Sequence, residues 1–391
     1  MQNQAVYDEL VGKFEKMYGK KPDVVAYAPG RIEVLGNHTD YNAGYVFSAA
    51  IDKGTFFAVS ASDDDSCELT AGDFMETARF TTKTVAPAKE MTWQNYVTGT
   101  FNWLFDGKPE TAPKGWKGMF LGNIPLGAGL SSSAALEMCT ALALCRLYGI
   151  EKDKTTLAKI GQKAEHTFAG CPCGLLDQAS SMYGEEGALV KSDFRFNTFE
   201  SVPMGDGVAF MMVKSNAKHA LVDGAYASRR QACEEAAKYF AGVLRGKKVT
   251  HLRDVTMAEW VLYRGGLSET PATRAVHPIG EDERVLQGAE LLGKGDLQAF
   301  GALMYDSHES SRSWFENSCE ELDAIVDAAK AIPEVYGARL SGGGFGGSCC
   351  LLVDPAAADK IAAQITKEYK AKFGDEPVCS LIKPSQGARL V

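Results

Sequence analysis

Residues 125–137, Pro-Leu-Gly-Ala-Gly-Leu-Ser-Ser-Ser-Ala-Ala-Leu-Glu, join a Gly-Ser loop directly to an apolar helical pattern. Gly127 and Gly129 let backbone N–H groups approach a ligand closely, and the first turn of the helix offers unpaired donors at the positive end of its dipole. That combination suits a phosphate. Ser131, Ser132 and Ser133 add hydroxyls that can cap the helix, bind a phosphate oxygen or ligate Mg2+, which takes oxygen donors and keeps some water. One Ser suffices for a cap, so two glycines with three serines favour phosphate over an ordinary capped helix.

Competing glycine motifs fail on their flanks. Gly122 to Gly127 has the spacing of a Walker A loop, but Ala128 follows where Lys is required. The run Gly342-Gly343-Gly344-Phe345-Gly346-Gly347 matches G-x-G-x-x-G formally, yet it leads into Ser-Cys-Cys-Leu-Leu-Val, a buried strand and not the helix of a dinucleotide site. The chain also lacks the H-R-D and D-F-G motifs of a protein kinase. Five glycines in six residues exceed the needs of a hairpin, and close approach by a ligand explains the excess better than a long, loose turn.

A third cluster, Gly30 to Asn42, gathers Arg31, Glu33, His38 and Asp40 in a segment that otherwise reads as buried strand and turn. Turn chemistry accounts for Asn42 and Gly44 but not for Arg31 or His38. A metal site from His38 and Asp40 lacks the rest of its ligands by spacing, whereas carboxylates and imidazoles together suit the hydroxyls of a sugar.

The elements that must carry these groups are legible in outline. Strand-like runs at 24–28, 45–51 and 55–60, with turns at 42–44 and 53–54, precede a central helix over 132–148 that is apolar on nearly every face. A second helix, about 154–168, aligns Leu157, Ile160, Ala164 and Phe168 and stops at Gly170, with Glu165 at the edge of its stripe. The second half reads as strand 208–213, helix 226–244, helix 322–331, strand 336–340, glycine turn, strand 349–353, helix 356–373 and strand 378–383. That order resembles a split βαβ or ferredoxin-like sandwich with helical insertions around 246–335. The fold class is α/β (α+β), divided near residue 205 into units 1–205 and 206–391.

At 391 residues, 45% hydrophobic, the chain has the length of two globular domains with a large core. A net charge of -9 argues against a nucleic-acid or anionic-membrane binder, and the N-terminal Met-Gln-Asn-Gln-Ala has no secretion signal, so a cytoplasmic protein with reduced thiols is expected. Nothing points to an obligate protein partner.

Residues 28–44, 125–137 and 341–347 together resemble the three signature motifs of the galactokinases, members of the GHMP small-molecule kinases. Further stretches agree: 164–170, 173–178, Lys218 and His219, Tyr226, and 229–235. The resemblance spans almost the whole chain. It implies a ribosomal S5 domain 2-like N-terminal domain, a ferredoxin-like C-terminal domain and a site in the cleft between them. It further implies a sugar kinase using ATP and Mg2+ to phosphorylate the C1 hydroxyl of galactose. Gly127, Gly129 and Ser131 to Ser133 would hold the ATP phosphates, Ser133 and Glu165 the Mg2+, and Trp93 and Tyr96 would lie near adenine. Asp177 would be the catalytic carboxylate with Arg31 beside it. His38, Asp40, Gly174 and Tyr226 would contact the sugar, with Asn37 facing its C6, while Gly342, Gly343, Gly344, Gly346 and Gly347 would close over the site.

Asn37 departs from the pattern, since galactokinases usually carry there a Glu that receives a hydrogen bond from the C6 hydroxyl; Phe47 to Ala50 also replaces a usual Leu-Pro-containing run. Loss of a carboxylate would relieve repulsion of a C6 acid, which makes a galacturonokinase the alternative. A non-catalytic galactose sensor is the alternative from another class. Such regulators resemble kinases with residues deleted from the Ser-Ser-Ser-Ala-Ala loop, and that loop is complete here.

Overall fold

The computed structural model describes residues 3–89, 93–125, 127–217 and 222–391, the side chains of residues 222 and 223 excepted. Leu126, Lys218 and His219 therefore lie outside the described residues.

Two sheets organise the chain. The first contains β1 (Val24–Leu35), β2 (Tyr45–Ala61), β3 (Ser66–Ala71), β4 (Glu76–Thr81), β5 (Trp116–Gly122), β6 (Ala188–Asp193) and β7 (Thr198–Pro203); the second holds β8 (Ala209–Lys214), β9 (Val335–Ser341), β10 (Ser348–Val353) and β11 (Val378–Ile382). The last strand, β12 (Arg389–Leu390), returns to pair with β1, and Ser385 donates its N–H to the Ala50 carbonyl. A division at residue 205 thus leaves the C-terminal residues on the first sheet. The second sheet runs β11-β8-β10-β9, antiparallel throughout.

The helices are α1 (Gln4–Tyr18), α2 (Gln94–Leu104), α3 (Ser132–Tyr148), α4 (Lys154–Ala164), α5 (Leu176–Tyr183), α6 (Val222–Val243), α7 (Met257–Tyr263), α8 (Glu269–Gly293), α9 (Leu297–Ser310), α10 (Glu320–Lys330) and α11 (Ala358–Phe373). Among the described residues no helix is long and apolar enough to cross a membrane.

β1 is buried along almost its whole length because both faces are covered. Val25 and Tyr27 pack with Leu10 and Phe14 of α1, while Ala26 and Ala28 join a core with α2, α3, α4 and α5. Beyond a register shift at Pro29–Arg31, Ile32 and Val34 meet Phe210, Phe300 and Leu352 from the second sheet and α9. Fully burying a side chain of this size contributes about 1.5–3 kcal/mol. This shared apolar seam fixes the two sheets against each other where Arg31 and Glu33 project from the opposite face of the strand.

Two sequence expectations are corrected. No turn interrupts the chain at Lys53-Gly54: β2 continues through it, and Gly54 is required because a Cβ there would overlap the Ala28 carbonyl and the Tyr27 ring. The helix from Lys154 ends as α-helix at Ala164 and continues as one π-turn over Glu165–Ala169, closed by Gly170 at φ 73°. Such turns widen the helix locally and often accompany functional side chains.

Candidate active site

A cavity of about 750 Å3 lies between the Gly-Ser loop and the glycine turn. Gly127 (φ 65°) and Gly129 (φ 70°) let the loop double back, and Gly30 lets it touch β1, because a Cβ at Gly30 would overlap the Leu130 carbonyl. Arg31 N–H donates to that carbonyl at 3.0 Å. Ser131 occupies the N-cap position of α3 but makes no cap bond; its hydroxyl donates to Asp177 Oδ2 instead. The first N–H groups of α3 consequently have no cap from the Ser131 side chain and are left as donors that an anion could take. Gly127, Gly129, Ser131, Ser132 and Ser133 all line the cavity.

Asp177 enters in the first turn of α5. That helix is pinned by Ser181, which donates to the Pro29 carbonyl at 2.7 Å, and by Ser180, which meets the Ser48 hydroxyl at 2.6 Å. Arg31 reaches Asp177 Oδ1 through Nε and Nη2, each at 2.7 Å, and donates from Nη1 to the Gly129 carbonyl at 2.6 Å. A carboxylate, a guanidinium and the phosphate-type loop therefore meet at one point.

Beside them sits a carboxylate pair that sequence reasoning half missed. Gln178 Nε2 donates to Glu137 at 2.9 Å and to Glu165 at 2.8 Å, and Ser133 also lies against Glu165. Burial pushes both carboxyls up, with Glu165 adding to the shift of Glu137 and Asp177 to that of Glu165. Glu137 is fully buried in an apolar helix, and that sequence signal could have found it. A hard cation suits this donor set of carboxylates and a hydroxyl. Among the described residues no group of three or more His, Cys, Asp or Glu is placed to hold a metal ion by itself. A cation here would complete its shell from phosphate and water.

Trp93 and Tyr96 also line the cavity, with Asp73, Phe74 and Phe120, which the sequence reading did not single out. Gly342, Gly343, Gly344, Gly346 and Gly347 line its opposite wall. Four of these five adopt positive φ, and a Cβ at Gly344 would overlap the Asn317 carbonyl. The glycine turn is thus held close and is not a loose hairpin.

Near Asp177 stands a polar cluster of Asp40 and Tyr226. Gly174 is seated so tightly on Asp40 that a Cβ would overlap its carboxylate. Burial, with the charges of Glu33 and Asp177, pushes Asp40 up to about 7. The Tyr226 ring packs on His38, 5.1 Å between centroids, and about 3.6 Å from where Gly343 would carry a Cβ. Burial lowers His38 to about 4, so the ring is neutral, with Nδ1 at 2.8 Å from the Tyr41 hydroxyl and Nε2 at 3.2 Å from the Gly343 carbonyl.

Three family signatures match in order: the galactokinase galactose-binding signature at residues 12–61, the GHMP kinase N-terminal domain at 95–185 and the GHMP kinase C-terminal domain at 289–371. The galactokinase of Haemophilus influenzae is 36% identical over 382 residues, 97% of each chain. That of Glaesserella parasuis is 36% identical over 383 residues, covering 97% of this chain and 98% of the relative. The chain belongs to the galactokinase family. The crystal structure of Lactococcus lactis galactokinase complexed with galactose superimposes with TM-score 0.92 at 28% identity, covering 98% of this chain and 99% of the other. A mevalonate kinase, at 19% identity and TM-score 0.61, shares the GHMP kinase fold alone.

Within this galactokinase-family site Asn37 is bound by protein on several sides. Its Nδ2 donates to Glu33 Oε1 at 2.9 Å and to the Gly342 carbonyl at 2.8 Å, while Oδ1 accepts from Asn317 at 3.0 Å. Its backbone N–H, with that of Gly36, donates to Glu281 of α8, each at 2.7 Å. Burial opposes ionisation of Glu281, but Arg284, His277 and Arg339 together outweigh it and hold the carboxyl well below the usual range. Asn37 is 1% exposed, and each polar atom of its side chain already has a protein partner. Both ring nitrogens of His38 likewise have protein groups beside them.

Proposed function

We propose that the protein transfers phosphate from ATP to the C1 hydroxyl of galactose, giving galactose 1-phosphate and ADP. One observation supports this reading above others: Asp177, held by Arg31 and Ser131, stands where an uncapped helix N-terminus meets the cluster of Asp40, Gly174 and Tyr226. A hydroxyl bound at the cluster and a phosphate bound on the loop would meet beside that carboxylate.

The residues have separable tasks. Backbone donors of Gly127, Gly129 and the first turn of α3 fix phosphate oxygens without reorganising. Asp177 orients the attacking hydroxyl and receives its proton, and Arg31 offsets the charge that gathers there. Trp93 and Tyr96 lie where a nucleobase would rest, and the glycine turn covers the site from the second sheet. Ser133 and Glu165 would hold Mg2+, which when bound neutralises charge on the transferring phosphate.

Ser133→Ala and Glu165→Gln should each raise the Mg2+ concentration giving half-maximal activity several-fold. An unchanged Mg2+ requirement with a lowered Tm would assign both residues to structure alone.

Asp40 adds a pH dependence. Its carboxyl is raised to about 7 in the free protein, and sugar hydroxyls donate best to its ionised form. KM for galactose should therefore rise as pH falls below about 7, by up to tenfold per unit, with kcat less affected. A flat KM from pH 5.5 to 8 would show that Asp40 is ionised throughout or does not touch the sugar.

The substrate is tested by measuring ADP release with galactose, galacturonate, glucose and mannose. Galactose should give the highest kcat/KM. The galacturonokinase alternative rested on Asn37 facing C6, and the bonds of Asn37 to protein weigh against it. A sensor would bind sugar and ATP without releasing ADP from any sugar.

A further inference from the structure

Both amide donors of Asn37 are taken by protein, and a carboxylate stands beside it. Arg31 and Glu33 lie two residues apart on β1, and the register between them is regular: Arg31 opposes Ala50, Ile32 opposes Ala49 and Glu33 opposes Ser48. Both side chains therefore leave the same face of the strand, about 7 Å apart. Arg31 holds Asp177, where the C1 hydroxyl would bind, so Glu33 stands roughly one pyranose ring further on. Its charge also acts on Asp40 and Tyr226, so the three groups lie near one another.

The two oxygens of Glu33 differ. Oε1 accepts from Asn37, whereas among the described residues no hydrogen bond falls on Oε2. The backbone of Glu33 is fixed by Ser341, whose hydroxyl accepts from its N–H at 3.2 Å and donates to its carbonyl at 3.1 Å. Behind the carboxylate lies Arg339, fully buried, with Nη1 at 3.7 Å from Oε1 and no hydrogen bond to any guanidinium nitrogen. An arginine so placed serves as a counter-ion and not as a hydrogen-bond partner, leaving one Glu33 oxygen available to a donor.

We propose that Glu33, and not Asn37, accepts a hydrogen bond from a sugar hydroxyl at the end of the ring remote from C1. The inference rests on the galactose reading above. Asn37 then orients the carboxylate, Arg339 keeps it compatible with burial, and a sugar acid at that end meets like charge.

Calorimetric binding of galactose and of 3-, 4- and 6-deoxygalactose to the full chain and to Glu33→Gln tests it without needing turnover. In the parent, removal of one of the three hydroxyls should weaken binding about ten- to hundredfold, as for a hydrogen bond to a charged group. In Glu33→Gln that penalty should shrink to threefold or less, while the other two deoxy penalties stay as they were. Penalties unchanged by Glu33→Gln, in all three sugars, overturn the proposal. Because Glu33→Gln strips Arg339 of its counter-ion, Glu33→Gln with Arg339→Met is run as a second background, and the same pattern is required of it. Galactose binding that leads to no ADP would sink the kinase reading and leave this one standing; no binding of galactose by the parent would overturn both.

Discussion

Asp177→Asn should lower kcat about a hundredfold or more while KM for galactose and ATP stays within a few fold. The amide keeps the size of the carboxylate, can still accept from Arg31 through its oxygen, and can donate to Ser131. What it loses is the capacity to take the proton of the attacking hydroxyl. A loss confined to kcat marks an interaction made in the transition state, whereas a structural helix carboxylate would show its loss in stability. Steady-state kinetics beside thermal melting separates the two. Near-normal turnover with a lowered Tm would remove Asp177 from the chemistry.

The second large effect concerns stability. Asn37→Glu should destabilise the fold by about 3–5 kcal/mol at pH 7, because it puts an uncompensated charge into a buried network. The new carboxylate would face Glu33 and the Gly342 carbonyl, both acceptors, and would lose the two donated bonds that Asn37 makes. The sign with pH follows from burial. A carboxyl whose folded pKa lies above its unfolded value costs nothing while protonated in both states, so the penalty should shrink as pH falls toward the ordinary carboxylate range and grow above it. The reversed pair, Glu33→Asn with Asn37→Glu, restores one amide and one carboxylate and should recover most of the loss. Urea denaturation of the parent and the two variants at pH 5 and pH 8 checks this. A single variant as stable as the parent would mean that the side chain at 37 reaches open space after all.

Much of the frame could be read from the sequence because its signals are local. The helix over 132–148 appears as α3 with those bounds, since an apolar run between the Gly-Ser loop and Gly149 allows few alternatives. The strand, turn and helix order after residue 208 also holds, with ends shifted by one or two residues except that the helix read from 226 begins at Val222. Long-range contacts were not legible. Gly54 reads as a turn residue, yet it is there so that β2 can pass the Ala28 carbonyl and Tyr27. Ser131 reads as a phosphate ligand or cap, and only the fold shows its hydroxyl on Asp177, 46 residues away. Asn37 is the sharpest case. Its motif neighbours imply a sugar contact, but its bonds to Gly342 and Asn317 come from segments some 300 residues distant, where no periodicity or spacing could reveal them. Glu281, which grips the backbone at residues 36 and 37 from α8, was invisible for the same reason.

The central claim is transfer of phosphate to C1 of galactose, and the most direct measurement is NMR of the products formed from ATP, Mg2+, galactose and the protein. The account predicts ADP in equal amount to a single new sugar phosphate, whose phosphorus is coupled to the anomeric proton. Phosphate on any other carbon, or no ADP from galactose under conditions where both ligands bind, would contradict it.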